Sequence, residues 1–557
     1  MLENFGIIDL GIVLLYFGVI LWISKWAADE KNKTLSAVDY FLAGKDQGWL
    51  VIGASLFASN IGSEIILGVS GAGARGNMPV ANFEIIASLV LILLGWVFVP
   101  FYLRTGVFTM PEFLEKRYSR ACRNYLSVIS VLAYVITKIS LIIFAGALVF
   151  ETIGIPFWTG AIFTVLATGL YTVLGGLKAV IYTDMVQAII LLIGTGAVTL
   201  FALNQVGGWS EMMETLSVAA QNPANPSVDR FFNLWRPSSD TEYPWTGMLF
   251  GAPILGVWYW CTDQYIVQRA LSAKDVSHAR KGALLAGYLK LLPVFIFFIP
   301  GVIAFALMQK GMLSFSMDEA DKALPAMITG FLPVGLKGLA IAGLLAALMS
   351  SLSSAFNSSS TLLTIDFYQK FKPDATEKDL VRFGRIATIV LVVISLGWIP
   401  FMRALMSGGI FLYLQSVQAY ISPPIAAVFL LGLYFPWINA RGAIIALWSG
   451  FVLGIARLVT EFMANEGSLI VSEGSLLDKL LGINFLHYAL FLFLICSGIL
   501  MVCSKLLPDT RPVPAFLTMK KGEEMGPNVR TDRLLTIILI VCVLFLWWLF
   551  SPLGLGG

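Results

Sequence analysis

The chain has 557 residues, of which 58% are hydrophobic and only 13% charged, against about 45–50% and 25% in soluble globular domains. Its formal net charge of +3 is dispersed over many short polar segments, so there is no basic patch for nucleic acid and no polar block long enough for a soluble domain. Apolar runs of about 20 residues recur from end to end, each able to cross a hydrocarbon core about 30 Å thick, and the expected class is an all-α polytopic membrane protein embedded in the lipid bilayer.

The first run, in MLENFGIIDLGIVLLYFGVILWISKWAADEK, is acidic before its apolar stretch and lacks a small-residue cleavage site, so it is expected to remain as a span. Hydropathy and loop punctuation place about fourteen helices, at 5–26, 49–70, 81–103, 124–150, 156–177, 179–203, 246–268, 283–308, 331–369, 383–402, 409–433, 441–461, 484–504 and 534–553. Basic residues alternate with this count. They crowd the odd-numbered connections: Lys25, Lys31, Lys33 and Lys45; Arg104, Lys116, Arg117, Arg120 and Arg123; Arg269, Lys274, Arg280 and Lys281; Lys370, Lys372, Lys378, Arg382 and Arg385; Lys505, Arg511, Lys520, Lys521, Arg530 and Arg533. The even-numbered connections hold few. By the positive-inside rule the basic loops are cytoplasmic and both termini lie outside, in a multi-pass protein of the plasma or inner membrane.

Two spans are interrupted. The second, WLVIGASLFASNIGSEIILGVSGAGARG, is polar and glycine-rich from Asn60 to Glu64, and the seventh, FGAPILGVWYWCTDQYIV, carries Pro253, Gly256 and Thr262-Asp263-Gln264. They sit five spans apart, an odd number, so the halves they belong to have opposite topology, which predicts an inverted-repeat transporter with its site at the breaks. The expected division is 1–48, an extra helix and a cytoplasmic loop; 49–204, a first five-helix repeat; 205–245, an extracellular loop; 246–435, a second repeat; and 436–557, three accessory helices.

The ninth span contains MSSLSSAFNSSSTLLTIDF, residues 349–367. Ser350, Ser353, Ser354 and Asn357 are spaced i, i+3, i+4, i+7 and form one helical stripe. Each hydroxyl could bond back to its own helix, yet that does not explain a stripe, whereas Na⁺ wants oxygen ligands of the kind that hydroxyls and unwound carbonyls supply. Asp184, in YTDMVQAII at the start of the sixth span, is either an exposed helix cap or part of such a site. Glu84 and Lys290 are charges inside spans and mark a pathway by default. Tyr259 and Trp260 offer flat apolar faces to a ring. His278 and His487 lie in loop-like sequence beside no nucleophile or metal cluster, which argues against an enzyme, and the five cysteines form no pairing pattern.

The stretches DYFLAGK, GASLFASNIGSE, FTMPEFLEKRY, YTVLGGLKAVIYTDMVQ, WYWCTDQYIVQRALSAKDVSHARKG, GYLKLLP, MSSLSSAFNSSSTLLTIDFY and SPPIAAVFLLGLYF closely resemble the sodium/solute symporter family, in its sodium/glucose cotransporter branch, over residues 39 to about 435. The resemblance implies the five-plus-five inverted-repeat core of amino-acid/polyamine/organocation-like transporters, formed by spans two to eleven. It implies a first Na⁺ held by the carbonyls of Ala58, Ile61 and Ala347 and the hydroxyls of Ser350 and Ser351, and a second between Ser350, Ser353, Ser354 and Asp184. The solute site of sugar-transporting members maps to Asn60, Glu84, Tyr259, Trp260, Lys290 and Gln415. The sequence departs from that pattern at Ile65, where sugar transporters carry histidine or glutamine, at Ile85, in place of tryptophan, and at Gly256, in place of a polar residue. The expected function is import of a sugar or sugar-like polyol, with two Na⁺ per solute; the alternatives are a sodium symporter for an amino acid, a monocarboxylate or a nucleoside, and a solute sensor that accumulates nothing.

Overall fold

The computed structural model describes residues 6–31, 36–152, 154–405, 410–465, 468–469, 471–509 and 529–557. Among these residues eleven helices are long and apolar enough to cross a membrane, or twelve when one bent pair counts as a single span, so the all-α polytopic class read from hydropathy holds. In chain order the principal helices are α1 (Ile7–Lys31), α2 (Trp49–Asn60), α3 (Ser63–Ala74), α4 (Pro79–Thr105), α5 (Arg120–Glu151), α6 (Phe157–Val173), α7 (Gly176–Val206), α8 (Ala252–Gly256), α9 (Gln264–Leu271), α10 (Val276–Gln309), α11 (Leu336–Phe371), α12 (Glu377–Leu405), α13 (Ile410–Tyr434), α14 (Ala440–Asn465), α15 (Phe485–Leu506) and α16 (Val529–Leu549).

Three predicted spans are not single long helices. The second is the pair α2 and α3, bent by 62°. The fifth, α6, is shorter and leads into α7 at Gly176, whose φ of +58° only glycine adopts without strain; a side chain there would also meet the Tyr40 carbonyl at 2.7 Å. The seventh is divided into α8, a π-helical turn at Val257–Thr262, and α9, with Asp263 extended between them (φ −80°, ψ 128°) and its carboxylate accepting the Tyr265 N–H. π-Turns of this kind cluster at functional sites.

Burial sorts the helices. The most apolar stretch of α11 is 94% buried, against 22% in α16 and 28% in α1, so α11 runs through the interior and the other two are peripheral. Small residues let α11 and α7 approach backbone to backbone, as membrane helices do: a methyl group on Gly194 would stand 3.1 Å from the Leu339 carbonyl, and one on Gly343 3.3 Å from the Ile190 carbonyl.

Some of the basic residues read as cytoplasmic loop charges belong to the interior instead. Arg117, Arg123, Arg269 and Arg280 are all buried. Arg123 pairs with Asp366 at 2.6 Å and Arg280 with Asp532 at 3.4 Å, because a guanidinium inside the protein is tolerated only with a carboxylate or carbonyls around it. Lys33, Arg511, Lys520 and Lys521 lie outside the described residues. The two histidines, expected in loops, sit in the first turns of α10 and α15, where His278 bonds the capping Asp275 and His487 bonds Thr246.

Candidate functional site

The break between α2 and α3 creates the first polar feature. A continuous helix would give the Gly62 N–H to Ala58 and the Ile65 N–H to Ile61. Here the Gly62 N–H turns to the Asn60 carbonyl (3.0 Å), and those of Ile65 and Ile66 both go to Gly62 (3.1 Å each). The carbonyls of Ala58 and Ile61 are thereby released from the ladder. α11 runs past the break, bringing Ser351, whose hydroxyl donates to the Ser59 carbonyl at 2.9 Å, and Tyr265 of α9 donates to the same oxygen at 2.5 Å. Ala347 lies one turn before Ser351 on α11, and both are buried.

Asp184 is not a cap at a membrane boundary. It lies two turns inside α7 with no exposed surface. Its carboxylate accepts from Ser350 (2.5 Å), Ser55 (2.6 Å) and Ser59 (3.0 Å), and the Arg269 guanidinium stands 3.6 Å away. Arg269 also donates to Ser55 at 3.0 Å and to Ser354. Ser354 reaches the Ser59 hydroxyl at 3.2 Å, and Ser353 bonds the Ser350 carbonyl of its own helix at 2.9 Å. Asp184, Ser350 and Ser354 therefore form one cluster with Arg269, Ser55 and Ser59, and Ser354, like Ser353, also bonds back to the Ser350 carbonyl, at 2.7 Å. Of these partners Ser55 and Ser59 carried no signal beyond polarity in an apolar run, and Arg269 was masked by its place in a basic stretch.

The rest of the serine run has a different task. Ser358 bonds Gln268 (3.2 Å), Ser360 bonds the Gly384 carbonyl (2.7 Å), and Thr361 accepts from Gln268 at 3.0 Å. These hydroxyls tie α11 to α9 and α12.

A cavity opens beside the same break, and Asn60, Ile65, Glu84, Tyr259, Trp260, Lys290 and Gln415 all line it. The helices α2, α3, α4, α10 and α13 and the π-helical turn at Val257–Thr262 supply them. Within it Lys290 pairs with Glu84 and also donates to the Asn60 side-chain carbonyl, while the Asn60 amide donates to the Tyr259 hydroxyl at 3.0 Å. Trp260 lies with its ring 5.5 Å from the Lys290 ammonium. A ring of hydroxyls meeting this wall finds donors, acceptors and aromatic faces together, as specific sites in apolar pockets require. Of the three departures, Ile65 and Gly256 line the cavity, whereas Ile85 does not and is fully buried. Sequence reading passed over Glu64, Lys138 and Gln418, which also line it. Glu64 and Lys138 were detectable, each being a charge inside a span.

A model of the sodium:solute symporter family matches residues 40–450. Sodium/glucose cotransporter 1 of Mus musculus is 41% identical over 533 residues, covering 91% of this chain and 79% of that protein. The sodium/mannose cotransporter of Bos taurus is 39% identical, with 91% and 88% covered. Among solved structures, a Na⁺-coupled sialic acid symporter in a substrate-bound outward-open state superposes with a TM-score of 0.76 at 21% identity, over 90% of this chain and 98% of that one.

Proposed function

The chain belongs to the sodium:solute symporter family, and from that premise we propose how it works as a sodium-coupled symporter for a sugar or sugar-like polyol. It is a transporter in the membrane, not an enzyme. Na⁺ is its coupling ion, and sugar and sodium are its small-molecule partners. Its relatives named for glucose and mannose transport support the sugar class. The observation that carries the reading is the adjacency of Ser59 and Asn60. Ser59 belongs to the oxygen-rich cluster with Ser351, Ser354 and Asp184; Asn60, the next residue, belongs to the cavity with Lys290 and Tyr259.

In this reading the first Na⁺ takes the released carbonyls of Ala58 and Ile61, the carbonyl of Ala347, and the hydroxyls of Ser350 and Ser351. Ligation fixes the angle of the break, and Asn60 moves with it, so the solute wall forms best when the ion is bound. Coupling between two sites is reciprocal, and the sugar raises sodium affinity by the same factor. A second Na⁺ is assigned to Asp184, Ser350, Ser353 and Ser354. The sugar is assigned to Asn60, Ile65, Glu84, Tyr259, Trp260, Lys290 and Gln415.

The architecture that fits this cycle has fourteen crossings, with repeats at 49–204 and 246–435, an extracellular loop at 205–245, the flanking segments 1–48 and 436–557, and both termini outside a plasma or inner membrane. The superposition on the sialic acid symporter supports the fold class. Counterflow and uptake of radiolabelled sugars, polyols and amino acids in proteoliposomes test the reading. An inward sodium gradient should drive at least one sugar above equilibrium. Uptake indifferent to sodium, or confined to amino acids, would overturn it.

A further inference from the structure

Resting on the reading of this cavity as the sugar site, we propose that Glu64 is a further specificity-determining residue, whose carboxylate accepts a hydrogen bond from a solute hydroxyl on the side of the cavity that Ile65 leaves apolar. Ile65 lines the cavity and offers no donor or acceptor. Glu64, one residue earlier at the start of α3, lines the same cavity and is 7% exposed. Its Oε2 is buried and has no hydrogen-bond partner among the described residues. A carboxylate oxygen enclosed without a donor is costly, and turning the side chain from Gly62 toward a solute hydroxyl in the cavity removes that cost.

The position is built rather than incidental. The Glu64 carboxylate folds back over Gly62 so closely that a methyl group on Gly62 would collide with both of its oxygens, so the glycine at the break makes room for it. Across the cavity the Lys138 ammonium does not swing over to it but rests on the Tyr259 and Tyr265 rings, 3.9 Å and 4.2 Å from their centres. Glu84, by contrast, is already taken by Lys290. Glu64 thus adds to this wall an acceptor oxygen that no described residue occupies. The four charged residues lining the cavity are Glu64, Glu84, Lys138 and Lys290, two of each sign, and this balance favours a neutral polyhydroxylated solute over an anion.

A cycle pairing protein variants with solute analogues tests the assignment in full-length protein in proteoliposomes. D-glucose, D-galactose, D-mannose and their monodeoxy analogues compete for sodium-driven uptake by the parent protein and by Glu64→Gln and Glu64→Asp. Glu64→Gln should raise the half-saturating concentration of the preferred sugar about tenfold or more, the range for a hydrogen bond to a charged group. One deoxy analogue that the parent rejects should be discriminated no longer in Glu64→Gln and still partly in Glu64→Asp. Sodium-evoked charge movement without sugar should keep its concentration dependence, which also reports a folded protein. Unchanged sugar saturation and analogue ranking in Glu64→Gln would overturn the proposal while leaving sugar transport intact, and a shift in sodium dependence alone would move Glu64 to the cation site. A parent protein that transports none of these sugars would overturn the sugar reading and this inference with it.

Discussion

Two buried ion pairs lie on either side of the α2–α3 break, and they are built to opposite ends. Asp184 and Arg269 are wholly enclosed, both with no exposed side-chain surface, and every neighbour within reach is a protein hydroxyl or carbonyl: Ser55, Ser59, Ser350, Ser354 and Tyr265. Glu84 and Lys290 are nearly as deep, with 6% and 1% of their side chains exposed, yet they line a cavity and share their wall with Gln415, Ile65 and the aromatic pair. Desolvating charges is expensive wherever it happens. In the first pair the protein answers that cost by itself. In the second the answer is shared with whatever enters the cavity, which makes it a recognition surface.

Breaking each pair should expose this difference. Arg269→Met leaves Asp184 enclosed and uncompensated, at a cost of about 3–5 kcal/mol, and is expected to abolish most folded protein by thermal unfolding in detergent. Lys290→Met leaves Glu84 at a cavity that water reaches, so about 1–3 kcal/mol is expected, with sugar uptake lost first. Equal destabilisation by the two would erase the distinction.

The proposed assignment of a second Na⁺ to Asp184 makes the enclosed pair a test of the ion count. One Na⁺ entering down about 100 mV and a tenfold gradient releases about 3.7 kcal/mol, enough for a roughly 500-fold sugar gradient, and two ions would support about the square of it. Reversal potentials at several sugar gradients are expected to report two charges per sugar in the parent and one in Asp184→Asn/Ser354→Ala. A parent value of one would assign the cluster to structure alone.

A reciprocal pair of substitutions then sharpens the boundary between the regions. Gln415→Ala should weaken sugar binding about tenfold and leave sodium-evoked charge movement in place. Ser351→Ala should raise the sodium needed for half-maximal uptake about fivefold, the value of one hydroxyl ligand at ~1 kcal/mol. The smallest effect is expected at Ser360→Ala, which removes only the bond to the Gly384 carbonyl. It should lower stability by about 1 kcal/mol with sodium and sugar dependence unmoved. A sodium phenotype there would extend the ion pathway along the lower half of the serine run.

The amino-acid sequence by itself determined that this chain is a bundle of membrane helices, because hydropathy and span length are properties of contiguous residues. It also located the break at residues 60–64, since glycines and polar residues in an apolar run announce themselves locally, and it singled out Glu84, Lys290, Tyr259 and Trp260, while the family resemblance added Asn60, Gln415 and Ile65; the structure gathers all seven around one cavity. Local reading failed where a residue's meaning depends on what faces it. Arg269 looks like one more cytoplasmic charge until α9 carries it against Asp184. The serines of 349–367 look alike, yet Ser350 meets the Asp184 carboxylate while Ser358 and Ser360 meet an amide and a carbonyl of α9 and α12. Glu64 gave no sign in sequence that one of its oxygens would be left without a donor. Pairing between residues on helices hundreds of positions apart is set by how small residues let those helices close on one another, and only the packed structure decides which side chains then share an enclosure from which water is excluded.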